Sequence, residues 1–147
     1  MIDGSIWMRT MGPEEINAFA SESLVRHLDI RCTEVGEESV TATMPVDERT
    51  RQPYGLLHGG ASVALAETLA SIAGTLAVRE DQMVVGVEIN ANHVRQTRSG
   101  IVTGRARPVH LGGRIQVWHV EITDDSESLV CISRVTLAVL DRRDERE

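Results

Sequence analysis

Residues 59–78 limit the possible folds of this chain more than any other segment. The stretch is rich in alanine and leucine, contains no proline and carries one ionisable side chain, Glu67. This composition predicts the longest helix of the chain, and because the segment is apolar nearly all round, we expect the helix to be buried. Glu67 and several small polar residues interrupt the apolar run, which argues against a membrane span. The rest of the chain must therefore supply a layer that covers the helix.

The segments on either side of this helix are predicted from periodicity and turn residues. Pro13 and two acidic residues start an amphipathic N-terminal helix, whose apolar positions recur as far as Val25. Residues 30–35 and 40–44 form a predicted hairpin around the turn 36–39, and the polar residues 47–54 form a loop. The long helix ends at residues 79–81, and further strands are predicted at residues 83–89, 100–107, 115–123 and 129–140.

This order of elements predicts an α+β fold in which an antiparallel sheet is wrapped around one long central helix. The 147 residues fit a single domain, residues 1–147, and no internal repeat divides them. The tail 141–147 consists of charged residues only and is expected to fray.

Composition and charge exclude several classes of protein. The formal net charge of -7 disfavours sequence-independent binding of nucleic acid, which requires a basic surface. Residues 1–10 lack the basic region and apolar stretch of a signal peptide, so the expected location is the cytoplasm, without membrane attachment. Cys32 and Cys131 lie far apart in apolar runs, which predicts buried thiols rather than a disulfide scaffold or a zinc site.

Glu67 is the first candidate catalytic residue. A lone carboxylate among apolar residues of a helix is costly unless it has partners or a task, and a raised proton affinity would suit a general base or nucleophile. The alternative is a glutamate at a helix edge that points to solvent. Ser71, four residues later, lies on the same face and could orient a water, although a serine there could also bond back to a backbone carbonyl.

The start of the same helix is the second candidate. Gly59 and Gly60 stand where the first N–H groups have no partner within the helix and the helix dipole is positive, so a carbonyl oxygen that gains negative charge would be stabilised there. His58 and Gln52 could assist in the same place. The alternative is that the glycines only permit a tight turn.

Gly59 and Glu67 are too far apart to act together within one chain. Eight residues of helix correspond to about 12 Å, whereas a base or nucleophile must come within roughly 3–3.5 Å of the atom that it attacks. If both residues belong to one site, a second subunit must supply one of them. The catalytic hypothesis therefore predicts a homodimer.

The second half of the chain has a basic bias that would suit the phosphates of a carrier such as CoA. This indication is weak, because arginines on strands are usually solvated and because neither a GxGxxG nor a GxxxxGK[ST] motif occurs. The arginines concerned are Arg95, Arg98, Arg105, Arg107 and Arg114.

The chain resembles the hotdog-fold thioesterases, in particular the branch of 1,4-dihydroxy-2-naphthoyl-CoA, 4-hydroxybenzoyl-CoA and phenylacetyl-CoA thioesterases. The similarity extends from about Asn17 to Leu140 and is carried by residues 44–47, 52–67, 85–94, 110–114 and 116–118. The segment Leu56-Leu57-His58-Gly59-Gly60, followed by Glu67 and Ser71, is specific for the thioesterases among proteins with this fold, since dehydratases differ around the helix start.

The resemblance implies a role for each matching residue. Glu67 would be the nucleophile or general base, the Gly59 N–H would polarise the thioester carbonyl with help from His58 and Gln52, and Ser71 would hold the hydrolytic water. Residues of two later segments match positions that contact the acyl group or CoA in the family. They are Gly86, His93, Val94, Arg95, Gln96, His110, Leu111, Gly112, Gly113, Arg114 and Ile115.

The expected function is hydrolysis of an acyl-CoA thioester, aromatic and of the dihydroxynaphthoyl type, within menaquinone biosynthesis. No metal or other cofactor is expected, and the resemblance implies a homotetramer made of two hotdog dimers. Two alternatives stay open. One is a thioesterase of broad specificity or of phenylacetate breakdown, and the other is a CoA-ester binding domain without turnover.

Overall fold

The computed structural model describes residues 4–142. It contains three helices, α1 (Pro13–Phe19), α2 (Leu24–His27) and α3 (Gly59–Leu76). Its six strands are β1 (Arg31–Val35), β2 (Val40–Pro45), β3 (Gln82–His93), β4 (Ile101–Leu111), β5 (Ile115–Thr123) and β6 (Leu129–Asp141). The strands form one antiparallel sheet in the order β1-β2-β4-β5-β6-β3, and α3 lies against β2 to β6. This arrangement confirms the predicted α+β fold.

The core lies between α3 and the sheet. Leu65 and Leu69 are fully buried, and Gly104 of β4 lets the helix approach closely, because a side chain there would come within 2.5 Å of Leu69. Trp118 of β5 is also fully buried, and its indole N–H donates to Gln116 Oε1 at 2.9 Å. A buried polar group of this kind is stable only when it is hydrogen-bonded, and Gln116 supplies the bond.

The predicted N-terminal helix is wrong in its extent, because two short helices replace it. α1 ends at Phe19 and α2 begins at Leu24. Between them, the Ser23 hydroxyl donates to the carbonyl of Ala20 at 2.7 Å, and the backbone of Ser23 is extended. Serine side chains favour such local bonds over a continuous helix, which explains the break.

Strands β3 and β4 run further than predicted. The polar residues 90–93 pair with residues 131–134 of β6, so β3 continues to His93, and β4 continues past Pro108 to Leu111 with a bulge before His110. Helix α3 ends at Leu76, two residues before its predicted end at Val78. Asp141, expected in a frayed tail, is the last residue of β6, and the rest of that prediction, residues 143–147, lies outside the described part of the chain.

The prediction that α3 is buried all round is also wrong. One face packs on the sheet, but the opposite face is only half-buried, because α1 and α2 cover it incompletely. This open face of α3 consists of Val63, Ala64, Glu67, Thr68, Ser71, Ile72 and Thr75. Among residues 4–142, no helix is both long and apolar enough to cross a membrane.

Candidate active site

Glu67 lies midway along the open face of α3, half-exposed, with its carboxylate against the backbone of Gly86 in β3. A side chain at Gly86 would collide with Glu67 Oε1, so glycine permits this close approach and a larger residue would displace the carboxylate. The sequence predicted Gly86 among the residues that contact substrate, and the structure brings it next to the candidate nucleophile.

The first turn of α3 leaves one N–H group available. His58 caps the helix, with its Nδ1 accepting from the Gly60 N–H at 2.8 Å, and its carbonyl accepts from Ala61 and Ser62 at 3.0 and 3.2 Å. Within residues 4–142 the Gly59 N–H has no hydrogen-bond acceptor. Since Nδ1 of His58 accepts, a neutral ring carries its proton on Nε2, which can donate. Gly59 and His58 thus carry two donors at this end of the helix, of which Gly59 lines the cavity described below and His58 does not.

Gln52 is held in the loop that leads into α3. Its backbone N–H donates to the Leu56 carbonyl at 2.8 Å, and its side-chain Oε1 accepts from the Tyr54 N–H. Gly55 makes the turn possible with a φ of 82°, a value that side chains disfavour. In the described part of the chain the side-chain NH₂ group of Gln52 makes no hydrogen bond, so it can donate to a ligand.

A cavity of about 430 Å³, the oxyanion cavity, gathers six of the predicted site residues. His93 at the end of β3 packs on Gly59, where an added side chain would lie 2.9 Å from His93 Nε2. The predicted residues that line the oxyanion cavity are Gln52, Gly59, His93, Val94, Arg95 and Gln96, together with Leu56, Leu57, Ser62 and Val130.

Glu67 and Ser71 face a different cavity of about 690 Å³, which lies between α3 and the helices α1 and α2 and is called here the helix cavity. The structure of one chain therefore separates the candidate nucleophile from the candidate oxyanion donors, as the helix rise predicts. Thr68 and Thr75 also line the helix cavity. Neither was predicted, although Thr75 follows Ser71 by four residues, a spacing that could have identified it.

The predicted segment His110 to Ile115 lines neither cavity. It forms the β4–β5 hairpin, and its neighbour Gln116 pairs with Leu137, which in turn pairs with Gly86. The hairpin thus lies at the Gly86 end of the sheet, whereas the oxyanion cavity lies at the His93 end of β3. Seven residues of strand separate the two ends by about 23 Å.

The predicted buried thiols are confirmed. Cys32 and Cys131 are both free and buried, and burial raises the pKa of each thiol. Within the described part of the chain, no group of three or more His, Cys, Asp or Glu side chains is arranged to hold a metal ion.

Comparison with known proteins shows the class of this fold and site. The model of the thioesterase superfamily matches residues 54–131. Over 135 residues the chain is 53% identical to 1,4-dihydroxy-2-naphthoyl-CoA hydrolase of Escherichia coli, covering 92% of this chain and 99% of the relative. It is 50% identical to the proofreading thioesterase EntH of Cronobacter turicensis, with 92% and 98% covered.

A solved structure agrees with this classification. The crystal structure of a Haemophilus influenzae thioesterase superposes with a TM-score of 0.93 at 49% identity and covers 97% of this chain and 99% of that one. The fold is that of the hotdog enzymes that hydrolyse thioesters. The chain belongs to the thioesterase superfamily, and its expected activity as a thioester hydrolase is confirmed at that level.

Proposed function

We propose that this enzyme hydrolyses an aromatic acyl-CoA to the free acid and CoA, with 1,4-dihydroxy-2-naphthoyl-CoA as the first candidate substrate and cytoplasmic menaquinone biosynthesis as its setting. The name of the Escherichia coli relative supports this choice of acyl group. The observation that supports the proposal is that α3 carries both an N–H group without an acceptor within residues 4–142, at Gly59, and a carboxylate on its open face, at Glu67.

The chemistry follows from these groups. The thioester carbonyl oxygen accepts hydrogen bonds from the Gly59 N–H, the His58 ring and the Gln52 amide, which stabilise the negative charge that develops on it. The Glu67 carboxylate either attacks the carbonyl carbon to form an anhydride, which water then cleaves, or removes a proton from a water that attacks directly. Ser71 would hold that water. In both cases the carbon–sulfur bond breaks and the CoA thiolate leaves and is protonated.

The site is proposed to combine residues of two subunits. Strand β3 is an edge strand of 12 residues, with Val85 and Val87 exposed by 38% and 60%. A long unpaired edge of this kind is a template for pairing with a second strand. Antiparallel pairing of two β3 strands about an axis near Ile89 or Asn90 would set His93 beside Gly86 of the partner subunit.

This pairing would complete the site. Within a chain, His93 lies against Gly59 and Gly86 lies against Glu67. Bringing His93 of one subunit beside Gly86 of the partner subunit therefore brings the oxyanion donors of one chain to the carboxylate of the other. In this proposal each chain forms one domain, and two chains form the homodimer that is the catalytic unit. Two such dimers form the expected homotetramer.

The CoA portion is proposed to lie along the oxyanion cavity, where His93, Val94, Arg95 and Gln96 follow β3. The guanidinium groups of Arg95 and Arg114 make no hydrogen bond or ion pair within residues 4–142, so both are available to phosphates. The hairpin that holds Arg114 lies at the Gly86 end of its own sheet. In the proposed dimer it belongs to the end that approaches the partner's oxyanion cavity.

A thioesterase of broad specificity is the second candidate function. The relative named as a proofreading thioesterase, at 50% identity, favours it. A panel of dihydroxynaphthoyl-, benzoyl-, phenylacetyl- and straight-chain CoA esters, compared by kcat/KM, separates the two candidates. The broad function would be favoured if kcat/KM for dihydroxynaphthoyl-CoA exceeds that for each of the other esters by no more than tenfold.

The role of Glu67 is tested by Glu67→Gln, with release of free thiol from an acyl-CoA as the measurement. We expect kcat to fall by about 10²–10⁴-fold, because the amide can neither attack nor accept a proton. Glu80→Gln, the same change at an exposed glutamate just beyond α3, is the matched control and should retain full activity. Unchanged thiol release by Glu67→Gln would exclude the proposed role of the carboxylate.

A further inference from the structure

Residues 18–24, called here the lid segment, join α1 to α2 and form part of the wall of the helix cavity. The chain is anchored on both sides of this segment. Before it, Asn17 uses both ends of its side-chain amide on the backbone of Cys32, at 2.9 and 2.8 Å. After it, the Val25 carbonyl accepts from the Ile30 N–H at 2.9 Å. Both anchors tie the lid segment to the start of β1, and neither ties it to α3.

The lid segment makes no hydrogen bond or ion pair with α3 in the described part of the chain. Its own bonds are local. The Ser21 N–H donates to the Ala18 carbonyl at 3.3 Å. The Ser23 hydroxyl donates to the Ala20 carbonyl at 2.7 Å. Segments with few buried contacts and exposed local bonds open at a small cost in free energy. The lid segment can therefore move about its two anchors without disturbing α3 or the sheet.

Two large apolar side chains of the lid segment line the helix cavity but are mostly exposed. Phe19 is exposed by 89% and Leu24 by 62%. Ser21 and Glu22, which lie between them in the sequence, are polar and do not line the cavity. Burial of apolar side chains is favourable, and at these exposures the two side chains bury little of their surface. An apolar group inside the cavity would give both of them a surface to pack on.

Glu67 lies in the same cavity and is only half-buried, so water reaches its carboxylate in a single chain. In the proposed reaction the acyl group enters this cavity, because Glu67 acts on the carbonyl carbon to which that group is attached. Exclusion of bulk water strengthens the electrostatic interactions within an active site, and closure of a mobile segment is one way to achieve it. A movable wall beside Glu67 would provide this exclusion.

We infer that the lid segment closes over the acyl group of a bound substrate, and that Phe19 and Leu24 are the side chains that move onto it. This inference rests on the proposed thioesterase site and adds a conformational step to it. Closure follows entry of the acyl group, and the lid segment opens again before the acid leaves. The CoA portion, which lies along the oxyanion cavity in the proposal, does not contact the lid segment.

The lid segment can be observed directly in the wild-type sequence, because Phe19 is the single phenylalanine of the chain. Incorporation of 4-fluorophenylalanine therefore gives one ¹⁹F resonance, that of residue 19. The spectrum is recorded for the free protein, with a saturating concentration of the product-like acid 2-naphthoate, and with CoA alone. We expect the acid to shift the resonance and to reduce its solvent isotope shift between H₂O and D₂O, and CoA alone to change neither.

A variant tests whether closure retains the substrate. Phe19→Ala should raise KM for an aryl-CoA ester by about tenfold, because one apolar contact with the acyl group is lost, while inhibition by free CoA stays within about twofold. Phe19→Leu keeps an apolar side chain and should raise KM by no more than about threefold. Met8→Ala is the matched control, since Met8 is exposed by 61% but lies outside both cavities, and its KM should equal that of the wild type.

Either measurement can overturn the inference. It is wrong if saturating 2-naphthoate leaves the ¹⁹F resonance of residue 19 unchanged, if CoA alone produces the same change, or if Phe19→Ala keeps the wild-type KM. The thioesterase function would stand in each of these cases. Since Phe19 is mostly exposed, Phe19→Ala is expected to fold, and its midpoint of thermal unfolding verifies this. A wild-type protein that hydrolyses no aryl-CoA ester would remove the proposed function together with the inference.

Discussion

The carboxylate of Glu67 lies so close to Gly86, on the neighbouring strand, that a Cβ atom at Gly86 would collide with Glu67 Oε1. Glu67 is half-buried in one chain, and the close approach of β3 at Gly86 limits where its carboxylate can lie. The bulge in β3 between Gly86 and Glu88 lies at this contact. We therefore predict that Gly86 positions the proposed nucleophile.

Gly86→Ala is predicted to lower kcat by about 100-fold, because a displacement of a reacting group by about 1 Å has an effect of that size. Stability should change little, since a half-exposed glutamate can swing away. The measurements are kcat by thiol release and the midpoint of thermal unfolding. Gly12→Ala is the control, as an added methyl there meets no atom within 4 Å. Full activity of Gly86→Ala would show that the contact does not position Glu67.

His58 is predicted to have two separable roles. His58→Ala removes the cap on the Gly60 N–H and should lower the unfolding free energy by about 1 kcal/mol. The same variant should also lose activity. His58→Asp restores a side-chain acceptor for the cap but has no donor for an oxyanion. Denaturant unfolding should therefore place the Asp variant near the wild type, while kcat falls by about 10²-fold or more. An Asp variant with full activity would limit His58 to capping.

The main elements of the fold follow from sequence patterns, and the errors have a common physical origin. The proline-free apolar stretch predicted α3, and alternation between turns predicted the strands. Full burial of α3 was wrongly inferred, because an apolar face looks the same in a sequence whether it packs on its own sheet or lines a cavity. The break between Phe19 and Leu24, where the Ser23 hydroxyl donates to the Ala20 carbonyl, is likewise not revealed by periodicity.

The site was predicted in part. The helix rise alone separates Gly59 from Glu67, and the structure places the two in different cavities. Which strand residues face each of them could not be predicted from spacing. His93 meets Gly59 and Gly86 meets Glu67 only because α3 runs antiparallel to β3, a relationship set by long-range packing. That the Gly59 N–H has no acceptor within residues 4–142 could not be predicted either, because it follows from the hydrogen bonds that the structure shows for Gly60, Ala61 and Ser62.

The buried amide of Gln116 is predicted to hold the core around Trp118. Its Oε1 accepts from the indole N–H at 2.9 Å, and its NH₂ faces the Gly74 carbonyl at 3.5 Å. Gln116→Leu should lower the unfolding free energy by about 1–3 kcal/mol, because the indole N–H is left buried without an acceptor. Adding Trp118→Phe removes that unpaired donor, so the double variant should lose less than the sum of the single losses. Additive losses would contradict the predicted coupling.

The two buried thiols are predicted to make the protein less stable at alkaline pH. Burial raises the pKa of Cys32 and Cys131, so the unfolded chain releases these protons first. The unfolding free energy should therefore be unaffected by the thiols below the unfolded pKa of about 8.5 and should fall as pH rises above it. Denaturant unfolding from pH 7 to 10 measures this effect. The variant with Cys32→Ala and Cys131→Ala should show a shallower decline, and an equal decline would exclude the thiols as its cause.

The composite site is tested most directly by mixing two inactive variants, Glu67→Gln and Gln52→Ala, either by co-expression or by refolding them together. In a mixed dimer, the Gln52→Ala chain supplies Glu67 and the Glu67→Gln chain supplies Gln52, so one of the two sites is intact. Half of the dimers are mixed, and thiol release should return to about a quarter of the wild-type activity. If the mixture stays as inactive as its separate components, the two residues act within one chain and the shared site is wrong.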